Sequence, residues 1–533
     1  MEKSYENSAN SDTPTRGSKV NLVEQGVVGD KTAKKGFWGR HWWKFLFTLV
    51  LALAGGAVAA YFLWYKPAHD NSNAKSDHSL TGGSKNNDNN APTPLPDPNN
   101  STNTNGNDDY DDSNAPNSYT PPLNQPFAYG KQPIRGVNIG GWLVLEPFIT
   151  PSYFNSGIVD EWTLCTNLGP EQANITLNNH YATFVTEDDF AQMAKVGLNH
   201  VRIPLGFWAI EVVSGEPYVP KLSWDYLLKG IGWARKYGLR VLVELHAAPG
   251  SQNGWNHSGK QGNIDWIVGP NGTANAERTL RIIQTMATFF NQPQYQHVTP
   301  MFGVLNEPRI NYDSLTFSGV KQFYLDAYNI IRNITGTGQD FTPWLVYHDG
   351  FVGLNAWKGV MQGYERVALD THSYLVFDKS GMLMPQPSLL AFPCAIWGNA
   401  LAQSTVDFGL TITGEWTVSI DDCATYLNGV GNSAKYEGAC SNCTCVGASD
   451  YKNWSADKKA FYLQFASAQI DAFESNGGGW FYWTWKTENH VNPTWDYQIG
   501  VQEGWIPNDL QNRAQTCKQL QQQYPGTFAQ LKN

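Results

Sequence analysis

The chain has 533 residues, more than one average domain, although a single α/β barrel of roughly 250 to 400 residues still fits inside it, so length alone decides little. Its 21 Trp, 25 Tyr and 25 Phe stand against only 16% charged residues, which weighs against a disordered chain and suits a large enzyme with ring faces for stacking sugars. A net charge of -10, with no long basic run in the globular part, gives nucleic acid or another polyanion no purchase and leaves a neutral substrate as the better fit.

Residues 1–44 read as a polar tail that ends in Lys31, Lys34, Lys35, Arg40 and Lys44. The next 20 residues, Phe45 to Trp64 (FLFTLVLALAGGAVAAYFLW), carry no charge and match the length a helix needs to cross a bilayer. The 44 residues before this run are far longer than the leader of a cleaved signal peptide, so a signal anchor is the expected reading. The positive charges on the N-terminal flank keep that end cytoplasmic, while Trp42, Trp43, Trp64 and Tyr65 suit the headgroup region. The expectation is a single-pass type II protein of the plasma membrane with its C-terminal part outside.

Residues 65–125 are dominated by Asn, Asp, Ser, Thr, Pro and Gly, cannot bury enough apolar surface to fold, and are expected to be a disordered linker. Sequons at Asn99, Asn100, Asn174, Asn256, Asn271, Asn333, Asn442 and Asn453 agree with an external location. Of the seven cysteines, six lie after residue 390, which points to an oxidising compartment, and their odd number leaves at least one outside any internal pair.

From residue 126 to 533 short β-rich runs alternate with longer amphipathic ones, as repeated strand–helix units require. Eight strands are predicted, starting at Gly136, His200, Arg240, Met301, Pro343, Val367, Gly409 and Gly478, apolar in the near-continuous way of parallel strands covered on both faces. Between them EDDFAQMAKVG places Phe190, Met193 and Ala194 on one helical face, and ERTLRIIQTMATFF does the same with Leu280, Ile283, Met286 and Phe289. The expected fold is a (β/α)8 TIM barrel. An open doubly wound sheet is the structural rival, but no glycine-rich phosphate loop follows the first strand.

A barrel of this kind builds its site at the C-terminal strand ends. Here those ends are polar: strand one runs into Glu146, strand two carries Arg202, strand three ends at His246, strand four at Asn306 and Glu307, strand six at His372 and Tyr374, strand seven at Glu415, and strand eight at Trp483 and Trp485. A lone Glu at a strand end is usually solvated and a lone His usually fills a hydrogen-bonding niche; the joint occurrence is the signal. Hydrolysing a glycosidic bond with retention needs two carboxyl groups roughly 5 Å apart, one neutral and one ionised. Glu307 is expected as acid/base, its pKa raised by burial and by Glu415, and Glu415 as nucleophile, kept ionised by Tyr374 and by His372. Trp483 is favoured over Trp485 as the sugar platform. No cofactor and no metal is called for.

The motifs GVNIGGWLVLEPF from Gly136, DEWTLC from Asp160, LHAAPGSQNGW from Leu245, LNEP from Leu305, DTHSY from Asp370, GEW from Gly414 and FYWTWKTE from Phe481 resemble, in order, the fungal exo-β-1,3-glucanases of glycoside hydrolase family 5. The resemblance spans roughly residues 126 to 525. It implies a proton donor at Glu307, a nucleophile at Glu415 supported by Arg202, and a terminal-glucose subsite lined by Glu146, His246, Asn306, His372, Tyr374 and Trp483. It further implies an aromatic clamp for the next glucose formed by Trp255, where the family usually has Phe, and Phe377. The implied activity is a glucan 1,3-β-glucosidase acting on wall β-glucan, in a protein expected to be monomeric. Cys394 is expected to pair with Cys517, and Cys423 with one of Cys440, Cys443 or Cys445; a zinc site there is disfavoured because thiolate sites prefer reducing compartments. The rival readings are the same chemistry on a β-1,6-glucan or a steryl glucoside, transglycosylation, and a non-catalytic wall-binding protein on the same fold.

Overall fold

The computed structural model describes residues 110–531 other than 312, 313 and 339. The tail, the helix expected over 45–64 and the linker up to residue 109 lie outside the described residues. Among the described residues no helix is long and apolar enough to cross a membrane.

Eight strands form where the β-rich runs place them: β1 Ile134–Asn138, β2 His200–Gly206, β3 Arg240–Ala247, β4 Met301–Gly303, β5 Trp344–His348, β6 Val367–Ser373, β7 Thr411–Trp416 and β8 Gly479–Tyr482. They pair in parallel in sequence order, and β1 closes the barrel on β8. Runs such as RVLVELHA in β3 are buried along their whole length because side chains of one parity fill the barrel while those of the other meet the surrounding helices.

The helices that cover the barrel include α1 Glu161–Thr183, α2 Glu187–Lys195, α3 Leu222–Lys236, α4 Gly272–Phe290, α5 Phe317–Thr335, α6 Gly398–Asp407 and α7 Ala456–Asn476. Thr186 and Asp189 close a capping box at the start of α2, which buries Phe190, Met193 and Ala194 on the expected face. In α4 the buried stripe is Thr279, Ile282, Ile283, Met286, Ala287 and Phe290, so the face is rotated from the expected one and Leu280 and Phe289 sit at its edges. A second difference lies between β5 and β6, where a single turn of 3-10 helix, Leu354–Trp357, with Trp357 wholly buried, stands in place of a covering helix.

The linker boundary at residue 125 is corrected by the structure. Residues 110–125 form a strap across the N-terminal ends of the strands: Arg240, the first residue of β3, donates to the carbonyls of Pro121, Pro122 and Gln125, the Asp112 carboxylate takes Arg235 at 2.9 Å and His297 at 2.8 Å, and Leu123 is fully buried. Composition misjudged this stretch because part of its hold comes from backbone carbonyls, which every sequence has, accepting from Arg240.

Cys394 pairs with Cys517, Cys423 with Cys445 and Cys440 with Cys443, leaving Cys165 buried and free. With the crowded cysteines oxidised in pairs, no thiolates remain there for zinc. The Cys394–Cys517 bond closes a loop of 123 residues and ties the last helices to the α6–α7 layer. A Cys394→Ser/Cys517→Ser variant is therefore expected to unfold with about 3 kcal/mol less stability in denaturant titration, with its catalytic rate unchanged.

Candidate active site

Arg202 in β2 is buried inside the barrel, level with Asn138 of β1. Its Nη1 donates to Oδ1 of Asn138 and to Oε1 of Glu415, both at 2.8 Å, and its Nη2 donates to Oε1 of Glu244 at 3.0 Å and to Oδ1 of Asn306 at 2.8 Å. Burial alone would weaken the guanidinium charge; Glu244 and Glu415 outweigh it and keep Arg202 cationic. One cation thus orients residues from four strands or strand ends.

Glu415 reaches this hub through an irregularity. Thr371 of β6 faces Thr413 of β7, but the next pair is His372 and Glu415, so Gly414 is an extra residue. A Cβ at Gly414 would lie 2.2 Å from both oxygens of Asp370, whose Oδ1 accepts the Gly414 amide at 2.6 Å. The bulge sets Glu415 beside His372. Its Oε1 is held by Arg202, and its Oε2 by the Tyr374 hydroxyl at 2.9 Å.

Glu307 follows β4 on a loop, with a backbone φ of 44° that is rare for a non-glycine residue and concentrates at functional sites. Gln252, fully buried, braces this loop by donating to the carbonyls of His246 and Asn306. The carboxyl lies between two imidazoles: Oε1 is 2.5 Å from Nδ1 of His372, and Oε2 is 3.4 Å from Nε2 of His257. The same His372 nitrogen is 3.3 Å from Oε2 of Glu415. Two sides of 2.5 and 3.3 Å cap the separation of those carboxylate oxygens at about 5.8 Å, short of the roughly 6.5 to 9.5 Å that inverting glycosidases need for a water.

The electrostatic ordering differs from the expected one. Burial pushes Glu415 up to about 7, against the charges of His372 and Arg202 and the Tyr374 hydrogen bond. Burial acts on Glu307 in the same direction, but His372 overrides it and holds this carboxyl well below the usual range. His372 itself is pushed up, because Glu415, Asp370 and Glu307 together outweigh its burial. His372 was expected to serve Glu415 and instead sits closer to Glu307. The 2.5 Å line between them carries one proton. Moving it from Nδ1 to Oε1 neutralises both partners, and so removes the His372 charge that lowers Glu415 together with the Glu307 charge that raises it.

The remaining predicted residues converge on the same cleft, of about 690 Å³, which Glu146, His246, Trp255, Asn306, Phe377 and Trp483 all help to line. Glu146 is on a loop well past the end of β1, buried, with Oε1 making no hydrogen bond, and burial together with Glu415 and Glu307 raises its carboxyl well above the usual range. His246 gives Nδ1 to Glu244 at 3.0 Å and lies parallel to the Trp483 ring at 5.5 Å. Regular pairing would have sent Trp483 and Trp485 the same way, but β8 ends at Tyr482; Trp485 turns into the core, where its indole donates to Asp189 at 2.9 Å. Trp255 and Phe377 stand near the mouth, Phe377 48% exposed.

Several contributors were missed. Glu244 lies two residues before His246 on one strand, so strand periodicity places both on one face and could have found it. His348 ends β5, a strand given no site residue. His257 and Phe351, the latter 46% exposed and packed edge-on against Trp255, lie on loops where no periodicity exists. Leu427, Asn428, Gly429 and Lys435 enter from the loop closed by Cys423–Cys445. Glu307, His348 and His372 place one possible ligand atom each within 4.8 Å of one another. The Gly350 amide, however, donates to Nδ1 of His348 at 3.0 Å, and burial keeps that ring neutral, so Nε2 carries its proton and no lone pair is free for a metal.

Residues 167–489 match the cellulase family, glycosyl hydrolase family 5. The chain is 42% identical over 432 residues to a probable glucan 1,3-beta-glucosidase D of Aspergillus clavatus, covering 76% of this chain and 51% of that protein. It is also 42% identical over 430 residues to glucan 1,3-beta-glucosidase D of Emericella nidulans, covering 76% and 50%. It spans about half the length of the curated relatives it matches. Among solved structures, a rutinosidase from Aspergillus niger superposes with a TM-score of 0.55 at 20% identity, covering 71% of this chain and all of that one, a likeness of fold. With the family matched over more than half its length, the chain belongs to glycosyl hydrolase family 5.

Proposed function

We propose that the protein is a retaining, exo-acting glucan 1,3-β-glucosidase that releases glucose from the non-reducing ends of β-1,3-glucans. The observation that carries this reading is the single imidazole nitrogen of His372 in reach of both Glu307 and Glu415, which sets the two carboxyls close enough to act on one anomeric carbon without a water between them. The names of the relatives support the substrate.

In the first step an oxygen of Glu415 attacks the anomeric carbon as Glu307 passes its proton to the departing glycosidic oxygen, leaving a glycosyl ester on Glu415 and a carboxylate at Glu307. In the second, Glu307 takes a proton from water, whose oxygen displaces Glu415 from the same carbon and gives β-glucose. Arg202 and Tyr374 hold Glu415 charged for the attack. Asn306 and Glu146 are placed to hydrogen-bond glucose hydroxyls, Trp483 offers the ring face, and Trp255 with Phe377 contacts the next unit. We further assign residues 45–64 to a membrane anchor with the barrel on the wall side of the plasma membrane, supported by 20 uncharged residues and the basic flank before them.

Incubating the purified protein with laminarin, a β-1,6-glucan and a steryl glucoside tests the reading. Glucose from laminarin, first seen by NMR as the β anomer, is the expected result; oligosaccharides as first products, α-glucose, or preference for either other substrate would overturn it.

A further inference from the structure

Glu307 has an imidazole against each oxygen, and the two differ in what else they touch. Nδ1 of His372 also approaches Glu415 at 3.3 Å and its Nε2 lies 3.5 Å from Asp370, so the ring answers to three carboxylates. His257 makes its ion-pair contact with Glu307, at 3.4 Å. Its ring is carried on the short turn Asn256–Ser258, pinned where Ser258 Oγ meets Ser251 Oγ at 2.6 Å and the Trp255 carbonyl at 2.7 Å. His246 and Trp255 flank it, each 5.5 Å away between ring centres. Nδ1 is buried and makes no hydrogen bond. With Glu307 as the carboxylate in reach, the ring proton belongs on Nε2, facing Oε2.

We propose that His257 is a positioning residue for the acid/base carboxyl: its Nε2–H meets Oε2 of Glu307 as that group gives its proton to the leaving oxygen, and so sets the pH range over which Glu307 alternates between acid and base. The inference rests on Glu307 being the acid/base. A contact of 3.4 Å is long for a hydrogen bond, as is common in a site before substrate is bound. Burial pushes His257 down to about 4, so above that pH the ring is a neutral donor that keeps its own proton throughout the cycle. The other titratable groups facing Glu307 come from every neighbouring element: Glu244 and His246 from β3, His348 from β5, His372 and Tyr374 from β6 and the residue after it, Glu415 from β7 and Glu146 from the loop after β1. His257 also interacts with His246, His372 and Glu244, so its contribution is read from the contrast between variants at that one position.

The experiment compares pH profiles of kcat/KM on laminaribiose, and kcat on an aryl glucoside, for the wild-type protein and for His257→Gln, His257→Leu and His257→Asn. Glutamine carries its amide nitrogen where histidine carries Nε2, whereas asparagine is too short and leucine has no donor. Losing the donor raises the pKa of Glu307, so the leucine and asparagine variants should move the basic limb of kcat/KM upward by about one pH unit and lower kcat about tenfold, and glutamine should restore both. Unmoved limbs in the asparagine or leucine variant, or a glutamine variant shifted as far as leucine, would overturn the proposal. Should leucine fail to fold, as melting would reveal, the asparagine–glutamine pair gives the same contrast. Failure of the acid/base reading appears separately, as a Glu307→Ala variant whose rate on laminaribiose equals that of the wild type.

Discussion

Glu415→Ala is expected to stop turnover, with kcat down by ~10⁵-fold, and added azide is expected to restore activity on an activated aryl glucoside while changing the product. Truncation removes the nucleophile and opens a space beside the anomeric carbon, on the face opposite the leaving oxygen. A small anion entering that space next to the Arg202 guanidinium attacks from the side Glu415 used, and with no second displacement the product is the α-glucosyl azide. The position is also structurally sensitive: Arg202 would lose one of the two carboxylates that compensate its buried charge. Glu415→Gln, which keeps the shape and an acceptor for Arg202, is the variant expected to melt near the wild type while remaining inactive. Near-normal turnover in it would contradict the nucleophile assignment.

Glu307→Ala is expected to show a different pattern. On laminaribiose, whose departing sugar is a poor leaving group, the rate should fall by ~10³-fold, because proton donation is lost. With a dinitrophenyl glucoside the aglycone leaves without a proton, so the first step should stay within about tenfold of the wild type and the ester should accumulate as a burst. Azide then enters from the face Glu307 occupied and yields the β-glucosyl azide. The contrast between α and β azides separates the two glutamates independently of absolute rates. Equal losses on both substrates would contradict the acid/base role.

The barrel was legible because its strands are apolar runs of defined length separated by amphipathic segments, and polar residues at the ends of those runs stand out against that background. Arg202, His246, Asn306, Glu307, His372, Tyr374, Glu415 and Trp483 were singled out in this way, and the structure brings them together at and beneath one cleft. What escaped depends on irregular backbone. The bulge at Gly414 fixes which residue of β7 faces His372, and β8 ends before Trp485, so parity along an ideal strand misdirects that ring. His257 and Phe351 reach the cleft from loops whose course is set by tertiary contacts such as the Ser251–Ser258 pair. The strap at 110–125 was misjudged because it packs through main-chain carbonyls accepting from Arg240, which composition does not record.

The proton ordering was also beyond the sequence. Burial and the Glu415 carboxylate were enough to expect a high pKa at Glu307, but only the distances show that His372 sits nearer to Glu307 than to Glu415. The consequence is a shared proton on the His372–Glu307 line in the free protein, beside a Glu415 carboxyl held by Arg202 and Tyr374.

The proposed mechanism requires a covalent bond between Glu415 and the sugar. Treating the protein with a 2-deoxy-2-fluoroglucosyl donor bearing a good leaving group slows both steps but spares the first more, so the ester should persist long enough for peptic digestion and mass spectrometry. One fluoroglucosyl group is expected on the peptide containing Glu415. A label on Glu307 or Glu146 instead, or an active protein that never carries one, would contradict the mechanism.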